Sequence, residues 1–107
     1  MSELPELPEI NLPKLEVTEK VVVKMGPEDI HTFEVFVDSE VEGIMSFVPS
    51  CGCTTIGTIN VVPGVNIVRA SISSKKAGEY RKKITWAFYK ENIIQLEGVI
   101  SIEQIVV

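Results

Sequence analysis

HTFEVFVD, His31–Asp38, puts Phe33, Val35 and Val37 on one side of an extended chain and Thr32, Glu34 and Asp38 on the other. A helix would scatter these positions around its axis; a period of two is the mark of a half-buried strand. The same alternation recurs in both directions along the chain. Upstream, LEVTEKVVVK alternates at Val17, Val21 and Val23. Downstream, GIMSFV runs up to Pro49, and NIVRASIS points Val68, Ala70 and Ile72 one way and Arg69, Ser71 and Ser73 the other. EYRKKITWAFY places Tyr80, Ile84, Trp86 and Phe88 inward and Arg81, Lys83 and Thr85 outward, with Trp86 as core filler. NIIQLEGVISIEQIVV sets Ile94, Leu96, Ile100 and Ile102 on one face.

Turn signals separate these runs: Gly26-Pro27-Glu28-Asp29, Glu42-Gly43, Pro63-Gly64, Ala77-Gly78 and Glu91-Asn92. No segment has a helical period. Six or seven short strands at this spacing predict an all-β fold, an immunoglobulin-like antiparallel β-sandwich of about seven strands over residues 15–107. The long closing strand and the first strand are its expected edges.

Residues 1–14 differ. LPELPEINLP carries Pro5, Pro8 and Pro13, a density that excludes helix and favours polyproline II. Its three-residue period stacks Leu4, Leu7 and Ile10 on one edge and groups Glu6 with Glu9. An apolar stripe too short to own a core needs a surface elsewhere, so this extended N-terminal arm is expected to anchor on a partner through Leu4, Leu7, Ile10 and Leu12.

A chain of 107 residues is the size of one domain and can bury enough surface to fold without metal or disulfide help. Its 45% hydrophobic content argues against general disorder. No apolar run reaches the roughly 18–20 residues needed to cross a bilayer. The start, MSELPELPEI, has neither a basic region nor an apolar core of the signal-peptide kind, so the expected location is a virion or the cytoplasm.

Charge is divided unevenly: residues 1–42 hold eleven acids against three bases, and residues 43–107 four acids against seven bases. The basic excess gathers at Lys75, Lys76, Arg81, Lys82 and Lys83. Nucleic acid is one partner for such a cluster. The acidic total, and the lack of a Gly- or Arg-rich tail, favour a solvated hairpin end or a patch for an acidic protein surface.

Both cysteines lie in VPSCGCTT, Val48–Thr55. A thiol nucleophile needs a base, and the one histidine, His31, sits before the second long strand with nothing to place it nearby. The Cys-x-Cys spacing also lacks the two-residue spacer of thioredoxin-type motifs. A structural zinc wants four ligands, and two thiols with one distant imidazole fall short. A disulfide between positions i and i+2 fits a turn at the cost of strain. The favoured role for Ser50, Cys51, Gly52, Cys53 and Thr54 is structural, a sharp corner in which small thiols pack and the threonine hydroxyls satisfy turn backbone groups. No catalytic residue, metal or cofactor is expected.

PSCGCTT, INVVPG, AGEYRKKITW and IIQLEGVI together resemble the bacterial family called domain of unknown function 1573, over about residues 28–102. The family pattern matches at Phe33, at Ser50 to Thr54, at Pro63-Gly64, at Gly78 and at Leu96 to Val99; DSEVEG replaces its usual Asn-Thr-Gly-like turn. The resemblance implies an immunoglobulin-like sandwich similar to Hydin and major-sperm-protein domains, and a non-enzymatic module with no established catalytic residues.

The expected function is therefore that of an interaction protein. A single sandwich with an arm suits an accessory subunit present in many copies on a large assembly, such as a decoration protein of a bacteriophage capsid shell. Its partners would be proteins, with no nucleic acid, membrane or small-molecule substrate. The alternatives are a thiol redox or metal-binding protein using Cys51 and Cys53, or a bacterial envelope adaptor domain lacking its signal peptide.

Overall fold

The computed structural model describes residues 14–107, so the expected arm and its contact residues Leu4, Leu7, Ile10 and Leu12 lie outside the described residues. Among the described residues, nine strands follow one another: β1 (Leu15–Val17), β2 (Lys20–Met25), β3 (Ile30–Ser39), β4 (Gly43–Pro49), β5 (Thr54–Thr55), β6 (Ile59–Val61), β7 (Gly64–Ser73), β8 (Gly78–Lys90) and β9 (Ile93–Val106). They form two sheets, in the orders β1-β3-β7-β5 and β2-β9-β8-β4-β6. This is the all-β sandwich that the alternation predicts, with β1, β5 and β6 as additional short pieces.

LEVTEKVVVK divides between the sheets. β1 pairs with β3 and β2 with β9, and the change of sheet falls at Thr18 and Glu19. Thr18 makes the corner: its N–H donates to the Phe36 carbonyl at 3.0 Å, and its hydroxyl accepts from the Phe36 N–H at 2.8 Å. The Glu19 carbonyl then accepts from Ser101 N–H at 2.8 Å. Because β2 leaves this corner alongside β9, that pairing is parallel, whereas the other pairings are antiparallel.

The inner faces interdigitate as a layer of Val23, Val35, Val37, Met45, Ile72, Ile84, Phe88, Ile100 and Ile102, each at most 1% exposed. At about 25 cal/mol per Å² of apolar surface removed from water, this layer dominates the favourable side of folding. Phe33, Val68 and Ala70 join it from the faces the alternation assigns them. Trp86 packs against the core half-buried, with its indole over Gly98, the residue opposite it on β9.

Ile94 departs from expectation. Phe88 pairs with Leu96 but Tyr89 pairs with Ile94, leaving Gln95 as an extra residue in a β-bulge. One inserted residue reverses the facing of everything beyond it. Ile94 is therefore 45% exposed on the outer face, while Leu96, Ile100 and Ile102 keep the inner one.

The turns follow their residues. Glu91 and Asn92 both have positive φ, 54° and 65°, the signature of a two-residue type I′ hairpin. Gly64 has φ 108°, and Asn66 braces that bend by accepting from Val62 N–H at 3.0 Å and donating to the Val62 carbonyl at 2.9 Å.

Candidate functional site

β4 ends at Pro49, and the corner Ser50–Cys53 carries the chain across to β5 in the other sheet. Ser50 fastens it to β8: its N–H donates to the Lys83 carbonyl at 2.8 Å, and its hydroxyl accepts from Lys83 N–H at 3.0 Å. On the other side the Cys53 carbonyl accepts from Ser73 N–H at 3.0 Å. The segment is a fold corner, as its composition suggests, but two details differ from expectation. The hydroxyl that satisfies backbone groups belongs to Ser50, whereas the buried Thr54 Oγ1 has no hydrogen-bond partner among the described residues. The two thiols are not free either: Cys51 and Cys53 are joined in a disulfide. The corner brings their Cα atoms to 5.4 Å, inside the range a disulfide spans, so adjacency in the turn replaces the separate packing expected of small hydrophobes.

The second correction concerns Lys82. A strand period of two gives it the inward register of Tyr80, Ile84 and Phe88, apart from Arg81 and Lys83, which face outward. It therefore does not join a patch with Lys75, Lys76, Arg81 and Lys83. Its amine instead runs under the corner, donating to Cys53 Sγ at 2.9 Å and to Gln104 Oε1. The fully buried Gln104 donates in turn to Met25 Sδ at 3.2 Å, and the amine lies 5.3 Å from the centroid of the Tyr80 ring. Partial burial holds Lys82 below the ordinary lysine value. This line of polar groups, Met25, Gln104, Lys82 and Cys53, escapes a reading of composition. Its one signal in the sequence is parity: Lys82 and Gln104 share the register of Ile84 and Ile102.

The remaining basic residues are dispersed. Lys75 and Lys76 sit in the β7–β8 turn, and Arg81 lies across from Glu103 on the outer face. Glu103 also pairs with Lys20 at 3.5 Å, an exposed contact of small energetic weight. His31 pairs with Ile72 of β7, across that strand from Thr54, and does not adjoin the disulfide in register.

A different surface lies on the five-stranded sheet, at β9. β2 covers β9 from Ser101 to Val106 only, so among the described residues no strand pairs with the outer edge of β9 from Ile93 to Ile100. The expected closing-strand edge thus exists, but over half the strand. Beside it a groove of about 820 Å³ opens between β1 and β9, lined by Leu15, Val17, Thr18, Trp86, Gly98 and Val99. Two rows of side chains cross the outer face towards that edge, Ile44–Tyr89–Ile94 and Val48–Thr85–Val99. Ile44, Val48, Ile94 and Val99, at the ends of these rows, are 45–64% exposed, and the row Ser46–Ala87–Glu97 runs between them. Among the described residues, no helix is long and apolar enough to cross a membrane.

No protein-family model matches the chain, and no curated protein matches it. Solved structures do. A PapD-like domain of human CEP192 is similar at TM-score 0.78 and 7% identity, over 100% of this chain and 94% of that one. The CARDB domain of a Pyrococcus furiosus protein, solved with two metal ions, is similar at TM-score 0.57 and 16% identity, over 91% and 90% of the two chains. WR4, a major-sperm-protein family member of C. elegans, is similar at TM-score 0.51 and 13% identity, over 87% and 97%. At these identities the likeness establishes the fold alone, an immunoglobulin-like β-sandwich.

Proposed function

We propose that this chain is a non-enzymatic interaction module, an accessory subunit repeated on a large protein assembly such as a bacteriophage capsid, and a member of the Cys-Gly-Cys-Thr family it resembles. The observation that carries the proposal is the edge of β9 from Ile93 to Ile100, which no strand among the described residues pairs, with the exposed Ile94 and Val99 on it. An uncovered strand edge offers a row of backbone donors and acceptors, and an extended partner segment can satisfy them as an added strand. The exposed Ile94 and Val99 supply apolar contacts for side chains on one face of that segment. The partner is thus a protein that presents an extended, partly apolar stretch, here assigned to a shell subunit. The N-terminal arm, through Leu4, Leu7, Ile10 and Leu12, provides the second anchor.

Co-sedimentation of the tagged full chain with native particles from its source tests this. The full chain should pellet at a fixed ratio to the particle protein. Removal of residues 1–14, or Val99→Lys, should leave it in the supernatant with an unchanged far-ultraviolet circular dichroism spectrum. A full chain that stays in the supernatant, or a truncated one that pellets equally, overturns the assignment.

A further inference from the structure

A neutral disulfide sulfur is a poor hydrogen-bond acceptor, yet the Lys82 amine is aimed at Cys53 Sγ from 2.9 Å. That position is of small use to the oxidised pair and of large use to the reduced one. When the S–S bond opens, Cys53 Sγ can carry a full negative charge, and the contact becomes an ion pair in a partly buried setting. Lys82 is available for it, since among the described residues its hydrogen bonds go to Gln104 and Cys53 and the one salt bridge is Lys20–Glu103. Around the pair and its lysine stand the Tyr80 phenol from β8, neutral Gln104 from β9 and Met25 from β2, while β7 contributes the Ser73 N–H to the Cys53 carbonyl. Both cysteines are half-buried rather than enclosed, and open space lies beside Gly52, where an added Cβ would meet nothing within 4 Å. The corner is thus open to solvent at Gly52, between the two sulfurs in sequence.

We propose that the Cys51–Cys53 corner is a thiol–disulfide exchange site for cysteine thiols, in which Lys82 stabilises Cys53 as the leaving thiolate. An incoming thiolate attacks Cys51 Sγ and forms a mixed disulfide there. The electron pair of the broken S–S bond moves to Cys53 Sγ, which is held by the Lys82 ammonium. A second thiolate then attacks the first thiol's sulfur in that mixed disulfide. The bond to Cys51 Sγ breaks, and its electron pair goes to Cys51 Sγ. The two attacking thiols leave joined as a disulfide, while the corner thiolates take up the protons the attacking thiols gave up. The corner is left as a dithiol, reduced by two electrons. The reverse sequence oxidises a dithiol partner. A low leaving-group pKa speeds such exchange, and a neighbouring ammonium lowers a thiol pKa. The site is stoichiometric, a redox-responsive corner on an interaction module, and it stands independently of the docking edge.

The experiment reads the Cys53 thiol directly. In Cys51→Ser, the rate of alkylation by iodoacetamide against pH should show Cys53 ionising about one unit or more below the ordinary thiol value of about 8.5. Adding Lys82→Met should return it to that value or above, and Lys82→Arg should keep it low. In the full chain, glutathione should give a mixed disulfide mapped by mass spectrometry to Cys51, and Lys82→Met should slow its formation about threefold to tenfold. Should Cys51→Ser lose its fold, mapped alkylation of the reduced full chain reports each thiol separately. A Cys53 thiol that ionises at or above the ordinary value, one indifferent to Lys82→Met, or an adduct on Cys53 overturns the proposal.

Discussion

Gly98 is a glycine because the indole of Trp86 occupies the place its side chain would take. A Cβ there would lie 2.4 Å from the ring, and a rigid indole cannot move aside as the tip of a flexible chain could. Gly98→Ala should therefore cost about 1–3 kcal/mol, read as a lower urea midpoint at unchanged slope. Lys82 and Gln104 form a second coupled pair. Lys82→Met strands the buried Gln104 Oε1 and should cost about 1–3 kcal/mol, whereas Lys82→Met with Gln104→Met removes both partners and should recover most of that loss. A double variant no more stable than the single one would contradict the pairing. The pH dependence follows from the lowered Lys82 value. The native state releases this proton at lower pH than the unfolded chain does, so between the lowered value and the ordinary one of about 10.4 the unfolded state binds more protons. The contribution of this position to stability is thus smallest below that window and rises with pH across it. As pH rises through that window towards the ordinary lysine value, the urea midpoint of the natural chain should gain on that of Lys82→Met, a comparison that cancels the other titrating groups.

At the scale of elements, β3, β7 and the centre of β8 were legible because strict alternation survives along their length. Phe33, Val35 and Val37 face Val68 and Ala70 in the core as the period of two requires. Where that period is interrupted, sequence reading loses the thread. The sheet change at Thr18 and the bulge at Gln95 are single-residue events that leave no mark in hydrophobicity, and they decide which sheet β2 joins and which way Ile94 points. The β8–β9 turn carries its own test. Glu91 holds φ 54°, which a side chain such as glutamate adopts at a cost, while the turn geometry suits Asn-Gly. Replacing Glu91-Asn92 by Asn-Gly should raise stability by about 0.5–1 kcal/mol in urea unfolding. A loss of stability would mean that the hairpin is not a type I′ turn.

For the whole molecule, the core carries the fold and the disulfide adds little. Cys51 and Cys53 are two residues apart, so their bond closes a very short loop and restricts the unfolded chain by at most about 2 kcal/mol. The reduced protein should keep its circular dichroism spectrum and unfold cooperatively; collapse on reduction would contradict a core-supported sandwich. The fold class was readable from the sequence as a whole, since six strand-like runs and five turns agree with one another. The Lys82–Gln104 line was not, because it depends on which side chains meet between neighbouring strands, and the disulfide, though local, was one of several roles the Cys-Gly-Cys spacing left open. The unpaired half of β9 was visible only as a long closing strand; that β2 begins at Lys20, opposite Ser101, and so leaves Ile93–Ile100 unpaired among the described residues follows from the pairing register. The most direct test of the central claim is amide hydrogen exchange across Ile93–Ile100, in the free chain and in the chain sedimented with its native particle. In the free chain, amides facing the bare edge should exchange fast while those paired with β8 stay protected, and on the particle the fast set should become protected. An exchange pattern at Ile93–Ile100 that is the same in both would contradict docking through this edge.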